Sequence, residues 1–271
     1  MRTASETTVF LGGGRITGAL IAGLRWSGCK GRIVVYDHNP GKVRALRREF
    51  QVEAARDLKS AIEEAEMLVV AVRPGSVAEL LDEVAKSGVG ARPRIAVSLA
   101  AGIPLKKLRP RLGPPIRWAR AMPSPVCRIG RGLTAVTFAR DLPRADRERV
   151  RKFFERVGPV LELPESRFDA FNAAYSPSHG YHALATLADA AERTGLDRKT
   201  ALTVGAHALA EAILYWKQSG QTLAELLQES ATPGGTSAAT MAAMNAAGYE
   251  KSVQRGLDAG IRQARANARR M

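Results

Sequence analysis

The chain has 271 residues, 45% of them hydrophobic, and sets 41 lysines and arginines against 26 aspartates and glutamates for a formal charge of +15. That length exceeds one average domain, so two domains are expected; no apolar run approaches the ~20 residues of a membrane span, and the N-terminus shows no signal-peptide pattern. Cys29 and Cys127 lie far apart with no metal-ligand or redox spacing, which points to no metal site, two small buried thiols and a reducing, cytoplasmic setting.

The positive charge is spread through almost every segment. Its tight pairs include Arg47-Arg48, Lys106-Lys107 and Arg269-Arg270, and no aromatic residues interleave with these. Such scatter reads as a solvated surface that attracts anionic small molecules rather than as a specific nucleic-acid site.

In chain order, Thr8-Val9-Phe10-Leu11 is a short apolar run, followed by Gly12-Gly13-Gly14-Arg15-Ile16-Thr17-Gly18 and a helical pattern through Ala19, Leu20, Ile21 and Leu24. Strand, glycine turn and helix in that order open a dinucleotide-binding βαβ unit. The turn must be tight, and its backbone must approach a pyrophosphate while the next helix points its N–H groups at the charge. Gly12 and Gly14 fill the first two positions of G-x-G-x-x-G. The third falls on Thr17, which leaves close packing of helix on strand less assured.

Arg32 to Tyr36 is a second apolar run, and it ends in Asp37 a little more than ~20 residues past the glycines, where such folds meet the adenosine ribose. Asp37 can accept from ribose hydroxyls and favours NAD, whereas His38, Lys42, Arg44 and Arg47 offer charge for the 2′-phosphate of NADP. Both cofactors stay open, with a slight lean to NAD. His38-Asn39-Pro40-Gly41 is a turn, and Lys42 to Phe50 a helix with Val43, Leu46 and Phe50 on one face.

A helix over 57–65 precedes the buried strand Met67 to Val72, which ends in Arg73-Pro74-Gly75. A parallel strand's carboxyl end is where open α/β sheets hold ligand, so Arg73 is a candidate cofactor contact. Further elements are a helix over 76–85, a strand over 94–99, a short basic helix over 104–112, strands over 116–121 and 133–138, and a helix over 145–157. At about Glu165 the alternation stops. Alanine-rich helices follow over 168–195 and 199–219, and long apolar-striped helices of this kind need partners, which makes a homodimer the economical burial.

Thr232-Pro233-Gly234-Gly235-Thr236-Ser237 then precedes the alanine run 238–247. With Thr232 as N-cap and Pro233 as first helical residue, two glycines leave bare N–H groups at a helix N-terminus, an anion pocket with the hydroxyls of Thr236 and Ser237 beside it.

Taken together, Gly12-Gly13-Gly14, Ala71-Val72-Arg73-Pro74, Ser98 to Gly102, Arg120-Ala121-Met122-Pro123, Glu165 to Ala170 and Thr232-Pro233-Gly234-Gly235-Thr236 resemble the pyrroline-5-carboxylate reductases, from Val9 to about Ala259. The resemblance implies a Rossmann-type dinucleotide-binding domain over 1–164 and an all-helical dimerisation and substrate domain over 165–271. It also implies NADP- or NAD-dependent reduction of the cyclic imine 1-pyrroline-5-carboxylate to L-proline, the last step of proline biosynthesis, by a homodimer or higher homo-oligomer. Cofactor contacts would fall on Gly12, Gly13, Gly14, Arg15, Ile16, Asp37, His38, Arg73, Pro74 and Ala100. The substrate carboxylate would meet Thr232, Gly234, Gly235 and Thr236, with Thr236 and Ser237 as catalytic hydroxyls.

Three segments depart from the family pattern. Ala174-Tyr175-Ser176-Pro177-Ser178-His179-Gly180-Tyr181 stands where a Gly-Ser-Gly-Pro-Ala-Tyr type of stretch is usual, Ser124 replaces an asparagine, and Arg73 replaces a lysine. His179 or Tyr181 could serve as general acid for a different substrate. A related oxidoreductase acting on another imine or carbonyl acid, or a non-catalytic dinucleotide-binding paralogue, therefore stands beside the first reading.

Overall fold

The computed structural model describes residues 6–88 and 94–271. Strand β1 (Thr8–Leu11) is wholly buried and leads through the glycine turn into helix α1 (Arg15–Trp26), which buries Leu20, Ile21 and Leu24. Strand β2 (Ile33–Tyr36) follows, and helix α2 (Pro40–Phe50) starts one turn later. Asn39 caps α2 by accepting from the Gly41 N–H, Pro40 takes the first helical position, and Gln51 ends the helix with φ 54°. Strand β3 (Glu53–Ala54) is a short edge, and helix α3 (Leu58–Glu64) opens on a reciprocal capping box between Asp57 and Ser60.

Strand β4 (Met67–Val70) is followed by a 3₁₀ turn over Pro74–Ser76 and helix α4 (Val77–Lys86). Then come strand β5 (Arg94–Ser98), helix α5 (Leu105–Leu108), strands β6 (Ile116–Met122) and β7 (Thr134–Phe138), helix α6 (Arg144–Glu155) and strand β8 (Val160–Glu162). The eight strands form one sheet in the order β3-β2-β1-β4-β5-β6-β7-β8, parallel except where β7 runs against β6. Strand order reverses beside β1, between β2 and β4, so a crevice opens beyond the carboxyl ends of β1 and β4.

Helices cover both faces of the sheet, which is why β1, β2, β4 and β5 are continuous apolar runs. One core joins Phe10, Val35, Val69 and Val97 to α1, α2 and to Phe153 and Phe154 of α6; the other joins Val9, Leu11, Leu68 and Val70 to α3, α4, α5 and Trp118.

Beyond β8 the chain is helical: α7 (Phe168–Ala174), α8 (Pro177–Arg193), α9 (Arg198–Ser219), α10 (Leu223–Ser230), α11 (Thr236–Ala246) and α12 (Tyr249–Arg269). The single helix expected over 168–195 is two. Ser176 caps α8 by accepting from the Ser178 N–H, and Pro177, lacking an N–H, sits where none is needed.

Compactness divides the chain into two units. The first runs to Ala174 and takes back Ala259–Met271; the second is Tyr175–Asp258. Composition changes at 165, but Phe168 packs with Met122 and Ala135 beneath the sheet's edge, and Gly102, at φ +80°, approaches α12 so closely that a Cβ there would meet the Ala264 carbonyl oxygen.

Within the second unit, α8 and α9 pack at Gly205, where a Cβ would stand 3.1 Å from Leu184. The unit buries small residues such as Ala188 and Ala201, yet leaves Ile213, Leu214, Tyr215 and Trp216 exposed in succession. Four consecutive residues span a whole turn of helix, so α9 is apolar around its circumference there. No described helix is long and apolar enough to cross a membrane.

Candidate active site

The sheet's parallel register sets the first half of the site. Leu11 lies opposite Tyr36 and Val70, Val70 opposite Ser98, and Ser98 opposite Arg120, so the carboxyl ends of these strands are level. The glycine turn, Asp37, Arg73 and Ala100 each follow one of these ends, and all ten expected cofactor residues line one margin of the sheet. Gly12 has φ +111°, and a Cβ there would stand 2.7 Å from the Ala71 carbonyl oxygen. Only glycine lets the turn pass the end of β4 this closely.

Gly14 is the N-cap of α1 without a side-chain hydrogen bond, and nothing lies within 4 Å of where its Cβ would be. The first intrahelical bond runs from Gly18 N–H to the Gly14 carbonyl, so the amides of Arg15, Ile16 and Thr17 have no partner within the helix. Open space, bare amides and the positive end of a helix fit a pyrophosphate. Thr17 succeeds where a third glycine was expected: its hydroxyl turns back and donates to the Gly12 carbonyl at 2.6 Å, while Gly18 lets α1 meet Leu46 of α2.

Asp37, expected to meet the ribose, is held in the turn by neighbouring donors. Its side chain is only 5% exposed. It accepts from the Gly13 N–H at 2.8 Å, the Asn39 N–H at 2.8 Å and Lys42 Nζ at 3.3 Å. Burial raises its pKa, but the two amides and the Lys42 ammonium outweigh that and hold the carboxyl below its ordinary value. His38 is exposed beside it, with Nδ1 3.8 Å from the carboxylate. Arg73 is also exposed, leading into the Pro74–Ser76 turn, and Ala100 is buried, its N–H donating to the Ser98 hydroxyl.

Arg120 and Glu165 form a further pair that residue patterns assigned no role. Arg120 is buried at the end of β6, donating to Glu165 Oε1 at 3.0 Å and lying 4.9 Å from the centre of the Phe168 ring. The same carboxylate oxygen accepts the Leu105 N–H at 2.7 Å. Burial lowers the Arg120 pKa, while Glu165 and Asp169 act against that. Among the described residues its Nε and Nη2 find no acceptor. A basic residue in the apolar pattern of β6 was the one signal in the sequence.

In the second unit the 232–237 segment forms its own feature, with a correction. Thr232 is not the N-cap of the helix. Thr232 to Gly235 is a turn in which the Gly235 N–H donates to the Thr232 carbonyl at 2.9 Å and Gly234 has φ +79°. Proline followed by a left-handed glycine suits the two centre positions of a type II turn, and helix cannot run through that φ. The N-cap of α11 is Gly235, with no side-chain cap. Thr236, Ser237 and Ala238 therefore have no intrahelical partner for their amides, with Thr236 and Ser237 exposed in this unit, one turn later than expected. Tyr181 is exposed on α8.

Among known proteins, the family model described as NADP oxidoreductase coenzyme F420-dependent matches residues 7–102, and the model for pyrroline-5-carboxylate reductase dimerisation matches 165–267. Curated relatives named pyrroline-5-carboxylate reductase span almost the whole chain. That of Corynebacterium melassecola is 28% identical over 257 residues, 93% of this chain and 95% of the relative. That of Escherichia coli is 28% identical over 248 residues, 90% and 91% respectively.

Along almost its whole length the chain is similar to pyrroline-5-carboxylate reductases, and their dimerisation domain matches its helical part.

Solved structures of such reductases share the fold. The Streptococcus pyogenes pyrroline-5-carboxylate reductase superposes with a TM-score of 0.88 at 21% identity, covering 96% of this chain and 98% of its own. The NADP-bound Plasmodium falciparum pyrroline carboxylate reductase gives 0.86 at 18% identity, covering 98% and 99%. The Rossmann-type unit followed by helices expected from the sequence is thus the fold these structures share.

Proposed function

We propose that this chain reduces 1-pyrroline-5-carboxylate to L-proline with NAD(P)H, at the last step of proline biosynthesis. The observation that carries the reading is the end-to-end match, over 90% or more of each chain, to relatives bearing the reductase name. Gly12, Gly13, Gly14, Arg15 and Ile16 would cradle the pyrophosphate on bare amides, with Asp37, His38, Arg73, Pro74 and Ala100 along the same margin. The nicotinamide supplies a hydride when bound.

A protonated cyclic imine is already electrophilic, so the protein's part is chiefly positioning. The amides at the start of α11 and the turn Thr232, Gly234, Gly235, Thr236 would hold the substrate carboxylate. Ser237 would place its hydroxyl by the ring nitrogen, with Thr236 beside it. Residues 165–271 would act as the dimerisation and substrate domain; the exposed Ile213 to Trp216 turn supports assembly with a second copy, since these side chains gain most by leaving water. We place the protein in the cytoplasm, with no specific nucleic-acid partner.

The test is Ser237→Ala combined with Gly235→Val. A side chain at Gly235 would meet the Thr232 hydroxyl at 2.9 Å and its carbonyl at 3.0 Å, so the double variant loses turnover of pyrroline-5-carboxylate while still binding dinucleotide. Full activity in that variant would refute the site.

A further inference from the structure

We propose that Asn267 and Glu165 are positioning residues for the nicotinamide half of the cofactor: they brace, at its middle and at its far end, the loop over 99–104 that follows β5. The brace presupposes the dinucleotide reading above and adds to it two residues outside the nucleotide-binding motifs.

A dinucleotide lies across a sheet of this order with one nucleotide over each half. The glycine turn and Asp37 follow β1 and β2 and mark the adenosine side. The nicotinamide side then falls beyond β4 and β5, where the loop over 99–104 leaves the sheet. Near the sheet the Leu99 N–H donates to the Val70 carbonyl at 2.9 Å, and the Ala100 N–H reaches the Ser98 hydroxyl at 3.3 Å. The Ile103 N–H closes a turn on the Ala100 carbonyl at 3.4 Å.

The remaining ties come from far along the chain. Gly102, at φ +80°, has no Cβ to obstruct the Ala264 carbonyl of α12. Three residues beyond Ala264, Asn267 Nδ2 donates to the Ala101 carbonyl at 3.4 Å. Gln263 Nε2 donates to Asn267 Oδ1 at 3.2 Å, which orients that amide with its NH₂ group toward the loop. Gly260 lets the same helix close on α7, where a Cβ would stand 3.1 Å from that of Ala173. At the loop's far end, Glu165 Oε1 accepts both the Leu105 N–H at 2.7 Å and Arg120 Nη1 at 3.0 Å. Arg120 is buried, so this carboxylate cannot swing away without stranding a charge. A segment that had only to join β5 to α5 would need neither a left-handed glycine under α12 nor a shared carboxylate. Fixing the loop in advance serves a ring that must present one carbon to its substrate.

The experiment compares the wild-type full chain with Asn267→Leu, Gln263→Ala, Glu165→Ala and Glu165→Gln, each at a temperature where melting shows it folded. NADH and NADPH are titrated by nucleotide fluorescence, and the adenosine-half fragments ADP and adenosine 2′,5′-bisphosphate by calorimetry. Asn267→Leu should weaken both dinucleotides about fivefold and keep both fragments within about twofold, the worth of one neutral hydrogen bond felt by the nicotinamide half alone. Gln263 is exposed, so Gln263→Ala folds and should move the same ratio in the same direction by less. Glu165→Ala should lower the ratio too. Glu165→Gln, which loses the ion pair but keeps an acceptor for Leu105, should restore most of it, a rescue that a purely stabilising role would not give. With pyrroline-5-carboxylate, Asn267→Leu should lower kcat with the imine KM little changed. An unchanged ratio in Asn267→Leu, or fragments weakened in proportion to the dinucleotides, would overturn the brace; if Glu165→Ala does not fold, the Asn267 and Gln263 variants decide. Wild-type protein that binds dinucleotide without reducing the imine would overturn the proposed reaction, and the affinity ratio would still decide the brace. Failure to bind either dinucleotide would overturn both.

Discussion

Replacing Glu165 should destabilise the first unit more than any surface carboxylate, because Arg120 has no other carboxylate within ion-pairing distance among the described residues. The guanidinium is 3% exposed, and Glu165, 32% exposed, meets it at 3.0 Å. Removing one partner of a buried pair costs about 3–5 kcal/mol, since the other charge is left uncompensated in a poorly polarisable site. Water reaches one side of Glu165, which places the expectation for Glu165→Ala at the low end, about 3 kcal/mol, including the orphaned Leu105 N–H. Glu165→Gln keeps an acceptor for Leu105 and removes only the charge, so about half that loss is expected. Urea denaturation followed by tryptophan fluorescence reads both, with the midpoint falling and the slope unchanged. If Glu165→Ala unfolds at the wild-type midpoint, the reasoning fails, and Asp169, the other carboxylate acting on Arg120, carries the compensation.

Gly12→Ala places a methyl against the Ala71 carbonyl at a positive φ, and should cost about 1–3 kcal/mol. It should also abolish NADPH binding, checked by thermal melting and nucleotide titration. Asp37 is ionised in the fold at pH values where it would be protonated in the unfolded chain. Its contribution is therefore complete above the ordinary aspartate pKa of about 4 and is lost as pH falls through the lowered folded value; Asp37→Asn should flatten the decline in urea midpoint below about pH 4. Burial pushes the Cys127 thiol up to about 12, while Cys29 is half-buried beside Arg156. Iodoacetamide at neutral pH should modify Cys29 in the native protein and Cys127 only after unfolding, as mass spectrometry of the two peptides would show.

The dinucleotide-binding half was legible because its signals are local. Buried parallel strands are uninterrupted apolar runs, and a turn that must pass close to a neighbouring strand needs glycine at Gly12. The break before α8 was also legible in principle, since Ser176-Pro177 is an N-cap followed by a residue suited to the first helical position, but the apolar periodicity on either side masked it. The turn at Thr232 was misjudged by one element because Thr-Pro can open a helix or a type II turn, and the positive φ of Gly234 decides between them. The orientation of Asp37 was not legible. Its position after β2 does not say which donors its carboxylate meets, and the Gly13 amide lies 24 residues earlier. Nor could the Arg120–Glu165 pair be read from residues 45 positions apart.

The return of α12 to the first unit has a consequence for synthesis. Asn267 donates to the carbonyl of Ala101, 166 residues earlier, and Ala264 packs on Gly102. At translation rates of roughly 5–20 residues per second, the loop after β5 waits on the order of 10–30 s on the ribosome before the segment that covers it is made. The residues of the helical unit are all polymerised during that interval. The first unit therefore begins before the second and closes only after the second has been synthesised.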